Sequence, residues 1–333
     1  MKSFPGYRIA QFGTLLTFCV ILLGAFTRLV DAGLGCPDWP TCYGHLWVPN
    51  TAEEIQQANE KFADTPVETD KTWPEQIHRI FASMLGLVVL CLTFICWRKS
   101  NEGLDMPLGQ ALFMTVFVIL QGLFGMWTVT LKLWPQVVTA HLLGGFTMLA
   151  LFWLMTLRLS NSVQYALLPK YLWRLSCVVM VIVIAQIALG GWTSSNYAAL
   201  ACTELPTCHG SWWPAMDLAK GFNLFQEIGP NYLYGVLDSD ARTAIHVMHR
   251  AGAIATVCAV LLLAWHMIPH ATLNGLASVI LIVLAGQVAL GVSNVLYSLP
   301  LAVAVAHNAV GALLLLTIVT AMYRIYRGTK HMG

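Results

Sequence analysis

Eight apolar segments, each long enough to cross a bilayer core, constrain this chain of 333 residues more than any other feature. A membrane-spanning helix needs about 20 apolar residues. The segments are predicted at residues 9–30, 74–97, 107–129, 136–157, 171–193, 242–265, 272–294 and 301–323. Charged residues make up only 10% of the chain, against about a quarter in an ordinary soluble domain. The predicted fold class is therefore an all-α integral membrane protein with eight transmembrane helices.

Basic residues near the ends of the spans predict an orientation, because cytoplasmic loops are enriched in Lys and Arg. On one side lie Lys2, Arg8, Arg98, Lys99, Arg158, Lys170, Arg174, Arg324, Arg327 and Lys330. The two long loops, 31–73 and 194–241, fall on the other side. Both termini are therefore expected in the cytoplasm and both loops outside it. The first segment lacks the features of a cleaved signal or a transit peptide, so a multi-pass protein of a bacterial inner (plasma) membrane is expected.

A short cysteine loop occurs twice, as CPDWPTC at 36–42 and as CTELPTC at 202–208, with an offset of 166. The same offset relates further pairs: Gly24 and Gly190, Gln121 and Gln287, Gly125 and Gly291, His141 and His307. In the second span of each half the offset is 171. Each half has an even number of spans, so both enter the membrane from the same side. The sequence predicts two tandem four-helix bundles, 1–165 and 166–333, related by a pseudo-twofold axis along the membrane normal.

Four of the ten histidines lie at repeat-matched positions inside spans. They are His78, His141, His249 and His307, each within a turn or two of the outer face. Two histidines on facing helices of one bundle can ligate a haem iron axially. Interhelical hydrogen bonding and a metal site without haem are the alternatives. Gln121 and Gln287 are expected to form hydrogen bonds between helices.

Arginines accompany two of these histidines, as Arg79 and Arg250 follow His78 and His249 directly. The planar guanidinium suits the propionates of a haem, and extension toward lipid headgroups is the alternative. Arg28, at the outer end of the first span, has no basic counterpart in the second half and is a further candidate for one site.

The two halves differ where Glu75 aligns with His246. The first half contains Glu-x-x-His-Arg and the second His-x-x-His-Arg, so Glu75 lies on the same helical face as His78. A carboxylate beside a haem is able to orient a substrate, accept a proton or stabilise positive charge. The alternative is a solvated acid near a helix N-terminus. His246 either supports His249 or competes with it as a ligand.

Taken together, these motifs resemble the heme A synthase family over essentially the whole chain. Enzymes of that family oxidise the methyl group on ring D of heme O to a formyl group, giving heme A for terminal oxidases. The resemblance implies that the N-terminal half, with Glu75 as the catalytic residue beside His78 and His141, holds the substrate haem. It also implies that His249 and His307 in the C-terminal half ligate a permanent haem b, which relays electrons.

The route of oxidation stays open at this stage. Dioxygen activation requires one histidine to leave the iron, whereas electron abstraction through the macrocycle takes its oxygen from water. The cysteine pairs Cys36–Cys42 and Cys202–Cys208 lie in the compartment where disulfides persist. We expect disulfides that close each loop, with redox-active thiol pairs as the alternative.

Three other functions compete with heme A synthesis. A b-type cytochrome that only carries electrons would leave Glu75 without a role. A membrane thiol oxidoreductase would leave the four histidines without a role. A transporter would be expected to have helices that break at mid-membrane. No nucleic-acid-binding patch is found. The expected partners are the lipid bilayer, the prenyltransferase heme O synthase, oxidase assembly factors, an unidentified electron donor and, through small residues on several spans, a second copy of the chain.

Overall fold

The computed structural model describes residues 4–160 and 167–330. Within these residues the chain forms ten helices: α1 (Tyr7–Leu29), α2 (Ala52–Lys61), α3 (Thr69–Asn101), α4 (Leu108–Thr130), α5 (Pro135–Leu159), α6 (Lys170–Ser195), α7 (Leu218–Gly221), α8 (Ser239–Met267), α9 (Asn274–Leu296) and α10 (Leu301–Lys330). The predicted boundary between residues 165 and 166 lies outside the described residues, as does Lys2.

Eight of these helices are long and apolar enough to cross a membrane, so the predicted eight-helix fold class is confirmed. The main difference from the predicted spans is at their ends. Helix α3 begins at Thr69 rather than at 74, so Pro74 is the sixth residue of the helix and lies inside it rather than at its start. The short outer helix α2 was not predicted, although Thr51 and Glu54 form the capping box that starts it.

The eight long helices pack as two rings of four. In the first ring α1, α3, α4 and α5 each contact the next and α5 closes onto α1, and in the second α6, α8, α9 and α10 do the same. The rings meet where α5 packs on α6 and where α10 packs on α1 and α5. The pseudo-twofold axis between the halves stays a prediction.

The outer ends of the two rings are joined by contacts between repeat-matched positions. Arg28 donates a hydrogen bond from Nη2 to the carbonyl of Ser194 at 2.5 Å, and the Tyr197 hydroxyl donates to Oδ1 of Asp31 at 3.0 Å. Each pair is separated by 166 residues, the offset of the repeat. The guanidinium of Arg28 also lies 3.9 Å from the centre of the Tyr197 ring. Arg28 therefore connects the two halves.

The second outer loop crosses from its own half onto the first. Trp134 donates a hydrogen bond from Nε1 to the carbonyl of Gln226 at 3.2 Å. Nearby, the main-chain N–H of Tyr232 donates to the carbonyl of Lys132 at 3.0 Å. Both contacts lie at the outer start of α5, the helix that carries His141. The C-terminal half thus covers part of the outer end of the N-terminal bundle.

Candidate functional site

The structure brings His78 and His141 together in the N-terminal bundle. Their ring centres are 6.4 Å apart and their planes lie at 85°. Imidazoles on opposite sides of one metal ion have centres about 6 Å apart, given metal–nitrogen bonds of about 2 Å and about 1 Å from nitrogen to ring centre. The separation therefore suits two axial ligands of one iron.

Each of the four intramembrane histidines lies against a glycine of a neighbouring helix. A Cβ added to that glycine would approach the Cε1 atom of the histidine to the following distances: 2.9 Å for Gly24 and His78, 3.4 Å for Gly125 and His141, 3.4 Å for Gly190 and His249, and 3.1 Å for Gly291 and His307. All four glycines are at repeat-matched positions. Their missing side chains leave room for an imidazole ring between the helices, and this explains why the repeat retains both residue types.

The histidine nitrogens offer the donor set that a haem requires. The Nδ1 atoms of His78, His141 and His307 are buried and have no hydrogen-bond partner among the described residues. A buried polar atom without a partner costs roughly 1–3 kcal/mol, so these rings are suited to a ligand. Within residues 4–160 and 167–330, no three His, Cys, Asp or Glu side chains form a metal cluster. Pairs of imidazoles fit an iron whose other four ligands come from a macrocycle.

Glu75, three residues before His78 on α3, is buried, with 5% of its surface exposed. Its Oε2 accepts a hydrogen bond from the main-chain N–H of Cys36 at 2.9 Å, and its Oε1 accepts one from Nη2 of Arg79 at 2.5 Å. The alternative of a solvated acid is wrong, because α3 begins a turn and a half before Glu75 and the cysteine loop covers it. A buried carboxylate with two donors is held in one position.

Arg79 and Arg250 hold the two cysteine loops in the same way. Nη1 of Arg79 donates to the carbonyls of Asp38 and Thr41, at 2.7 and 2.6 Å. In the second half, Arg250 donates to the carbonyls of Thr207 and Cys202, both at 3.0 Å. Neither side chain extends toward the headgroups, since each guanidinium is bound to its loop. Their predicted contact with haem propionates stays a prediction.

Each cysteine loop is a closed hairpin, which we call the first hairpin (residues 36–45) and the second hairpin (residues 202–211). Disulfides join Cys36 to Cys42 and Cys202 to Cys208. Antiparallel bridges pair Cys42 with His45 and Cys208 with Ser211. The predicted disulfides are therefore present, in two hairpins of the same form.

An acidic side chain stabilises the turn of each hairpin. Asp38 accepts hydrogen bonds from the Thr41 hydroxyl and from the main-chain N–H groups of Tyr43 and Gly44. Partial burial acts to raise the pKa of Asp38, but these hydrogen bonds outweigh it and the pKa lies below the ordinary value of 3.8. Glu204 occupies the matching position, and the hydrogen bond from Gly210 is the main cause that lowers its pKa. Sequence analysis missed this pair, although both loops carry an acid at their third position.

His246, the counterpart of Glu75, is also buried. Its Nδ1 lies 2.9 Å from the carbonyl oxygen of Ala198, in the loop that leads to the second hairpin. In both halves, therefore, the side chain at this matched position binds the main chain of the long loop of its own half. The first half uses the carboxylate of Glu75 and the second uses the imidazole of His246.

The geometry agrees with comparisons to known proteins. A sequence model of the COX15-CtaA family, described as cytochrome oxidase assembly protein, matches residues 7–319. The chain belongs to this family. It is 47% identical over 319 residues to a protein of Shewanella oneidensis named heme A synthase, covering 94% of each chain. Relatives with the same name in Mesorhizobium japonicum and Paracoccus denitrificans are each 28% identical, over 95% and 92% of this chain and 88% and 83% of theirs.

Family membership confirms two of the predictions from sequence. The chain is an oxidoreductase of the family that the motifs resembled, and it is a multi-pass membrane protein with bacterial relatives. The sides on which its termini and loops lie stay predictions.

Proposed function

We propose that this protein is a heme A synthase, which oxidises the ring D methyl group of heme O to a formyl group. The observation that carries this proposal is the buried carboxylate of Glu75, one helical turn before His78 of the His78–His141 pair. The second half has a matching histidine pair but no matching carboxylate, since His246 takes that position. A protein that only carried electrons would have no use for a buried acid at one of two equivalent sites.

The two halves then have different tasks. The N-terminal half (1–165) binds the substrate through His78 and His141, with Arg79 and the first hairpin above it. The C-terminal half (166–333) binds a resident haem b through His249 and His307, with Arg250, His246 and Arg28 at its outer margin. When bound, that haem would supply reversible one-electron chemistry and relay electrons between the substrate half and an external redox partner.

Glu75 is the chain's own contribution to the chemistry. Converting a methyl group to a formyl group replaces two hydrogen atoms by one oxygen atom, which water or dioxygen supplies, and withdraws four electrons from the carbon. A fixed carboxylate is able to accept a proton that leaves the carbon. Its bonds to Cys36 and Arg79 hold it in place, and its burial keeps bulk water away. The carboxylate would also stabilise positive charge that develops on the substrate in the low-dielectric membrane.

Purified protein in detergent tests the proposal. The reduced-minus-oxidised spectrum and the masses of the extracted haems are compared for wild type, Glu75→Ala and His307→Ala, with His266→Ala as a control at the inner end of α8. We expect haem b with some heme O or heme A in wild type. Glu75→Ala should retain haem b without forming heme A, and His307→Ala should lose haem b.

Other results would favour the competing functions. Haem b alone, with unchanged heme A supply in cells carrying Glu75→Ala, would indicate an electron-carrying b-type cytochrome. A protein without haem would indicate a membrane thiol oxidoreductase that uses the cysteine pairs.

The proposed reaction also defines the setting of the enzyme. Heme O would arrive from the membrane prenyltransferase that makes it, and heme A would pass to an oxidase assembly factor. The termini would be cytoplasmic and the hairpins outside the inner membrane, which reporter fusions to each terminus would test. The electron donor and any self-association would be sought by cross-linking in membranes.

A further inference from the structure

Arg324 lines a cavity at the inner end of the protein, which is the end opposite the hairpins. The cavity has a volume of about 390 Å³ and lies between the start of α9 and the last turns of α10, with Thr272, Leu276 and Val279 in its lining. Nη1 of Arg324 reaches the carbonyl of Thr272 only at 3.5 Å. Its Nε atom is buried and has no hydrogen-bond partner among the described residues. The guanidinium in this cavity therefore lacks a strong acceptor.

The matching arginine of the first half has the acceptor that Arg324 lacks. Arg158 lies one repeat offset of 166 residues before Arg324. Its Nη1 donates a hydrogen bond to Oε1 of Gln110, on α4, at 2.9 Å. The residue that matches Gln110 on α9 is Leu276, whose side chain has no polar atom. The repeat thus retains the arginine in both halves but its side-chain partner in only one.

The helices around Arg324 carry no acid that would neutralise it. Helix α10 contacts α1, α5, α6 and α9, and none of these five helices contains an Asp or a Glu in the ranges given above. The loop before α4 contains Glu102 and Asp105, whereas the matching residues before α9 are uncharged. Basic residues predominate at the inner ends of the five helices: Arg8, Arg158, Lys170, Arg174, Arg324, Arg327 and Lys330. A ligand that enters this cavity therefore meets positive charge.

The depth of Arg324 corresponds to the headgroup layer of a bilayer. Helix α10 begins at Leu301, so at a rise of about 1.5 Å per residue Arg324 lies about 35 Å along it. The hydrocarbon core is about 30 Å thick, which places the guanidinium just beyond it. An apolar strip continues from the cavity toward the membrane centre, because Val279 and Ile282 on α9 are 46% and 71% exposed.

We propose that this cavity binds an anionic phospholipid, with the phosphate group on Arg324 and an acyl chain along Val279 and Ile282. A guanidinium forms two parallel charge-assisted hydrogen bonds with a phosphate, which would supply the missing acceptor. Anionic headgroups are also attracted to basic residues beside the membrane. A free phosphate shares the chemistry of the headgroup but leaves the apolar strip uncovered, so the lipid fits the site better.

This site lies at the opposite end of the bundle from the four histidines. Its existence does not depend on the proposed function. Its role would be to hold the inner ends of α9 and α10 together through a lipid, where the first half uses the bond between Arg158 and Gln110.

Native mass spectrometry of delipidated protein in detergent tests the site. The probes are phosphatidylglycerol, phosphatidylcholine with the same acyl chains, and inorganic phosphate. We expect wild type to bind its first phosphatidylglycerol about fivefold more tightly than phosphatidylcholine, and inorganic phosphate not to displace it. Arg324→Ala should lose most of this preference. Arg158→Ala is the matched control, because it removes the same charge from the same end of the protein and should retain the preference.

Leu276→Gln tests the site without changing any charge. It gives Arg324 the acceptor that Gln110 gives Arg158, so the amide competes with the phosphate for the guanidinium. We expect its preference for phosphatidylglycerol to lie between those of wild type and Arg324→Ala. The thermal unfolding temperature of each variant shows whether it is folded.

Photo-crosslinking locates the bound lipid. The protein is placed in phosphatidylcholine vesicles that contain a minor fraction of phosphatidylglycerol with a diazirine in its acyl chain. We expect crosslinks on the α9 peptide that contains Val279 and Ile282, and their loss in Arg324→Ala.

Three results would overturn the proposal. They are equal affinity for the two lipids, equal loss of preference in Arg158→Ala and Arg324→Ala, and crosslinks spread evenly over the helices. Displacement of the lipid by inorganic phosphate would overturn the assignment to a lipid and show that the cavity binds a free anion.

Discussion

Glu75 and Cys36 are joined by a hydrogen bond of 2.9 Å from the main-chain N–H of Cys36 to Oε2 of the carboxylate. This bond links the candidate catalytic acid to the first hairpin, and Arg79 completes the link because it binds both Glu75 and the hairpin carbonyls. The position of the acid therefore depends on the closed form of the hairpin.

Glu75→Ala should make the first disulfide easier to reduce. The substitution leaves the buried N–H of Cys36 without its acceptor, which costs roughly 1–3 kcal/mol. Alkylation followed by mass spectrometry, during treatment with a phosphine reductant, would measure both disulfides in the same sample. Cys202–Cys208 serves as the internal control, since its hairpin has no contact with Glu75. An equal increase in the reduction rate of both disulfides would contradict this expectation.

The first hairpin should lose stability in acid because of Asp38. Its folded pKa lies below the ordinary value of 3.8, so the ionised form stabilises the fold above the unfolded pKa. That contribution disappears as the pH falls through the folded pKa. We expect phosphine reduction of Cys36–Cys42 to accelerate as the pH falls below the ordinary pKa of 3.8 and through the lower folded pKa. In Asp38→Asn this disulfide should be reduced fast at every pH tested. If the variant showed the same pH profile as wild type, the role of Asp38 would be refuted.

Gly24→Ala should impair the N-terminal site, whereas Gly190→Ala should be tolerated. A Cβ at position 24 would lie 2.9 Å from Cε1 of His78, against 3.4 Å between position 190 and His249. The first distance requires the imidazole to move by about half an ångström or more, whereas the second is close to the ordinary carbon–carbon separation of about 3.5–4.0 Å. Haem extraction should show heme A lost and haem b retained in Gly24→Ala, with both retained in Gly190→Ala.

A helix-folding defect would not explain that result. Alanine is favoured over glycine in a helix by about 1 kcal/mol. Loss of heme A from both variants, or from neither, would contradict the predicted steric difference.

Arg28→Ala should weaken the junction between the two halves. The guanidinium bonds to the Ser194 carbonyl and lies over the Tyr197 ring, and hydrogen bonds to charged groups contribute about 1.5–3 kcal/mol. Thermal unfolding in detergent would measure the loss. Arg98→Ala is the control, because its ion pair with Glu102 is exposed and such pairs contribute about 0–1 kcal/mol. Equal destabilisation by the two substitutions would show that Arg28 does not join the halves.

The features that sequence alone predicted are local or periodic. The eight spans follow from segment length and hydropathy, and the shared depth of His78 and His141 follows from their positions within the first turns of their spans. Gln121 was expected to bond between helices, and it does so from α4 to α5. Glu75 was singled out because the two halves differ there.

The features that were missed depend on which groups meet in space. The contact of Arg79 with haem propionates stays a prediction, but its hydrogen bonds to loop carbonyls about 40 residues away in sequence were not foreseen. Gln186 was not singled out because its repeat partner is Val20, yet its Nε2 lies 3.2 Å from Nδ1 of His249. A repeat identifies what two halves share, whereas a contact present in only one half requires coordinates.

The contact between Arg28 and Ser194 has a consequence for how such a protein is built. Two separate copies of a single four-helix unit, joined by the same contact, would bring identical side chains together, and two arginines would repel each other. Joining both units in one chain removes this restriction, because the two matched positions of the contact can then carry different residues. The covalent connection thus permits a pairing of unlike partners that an assembly of identical subunits excludes.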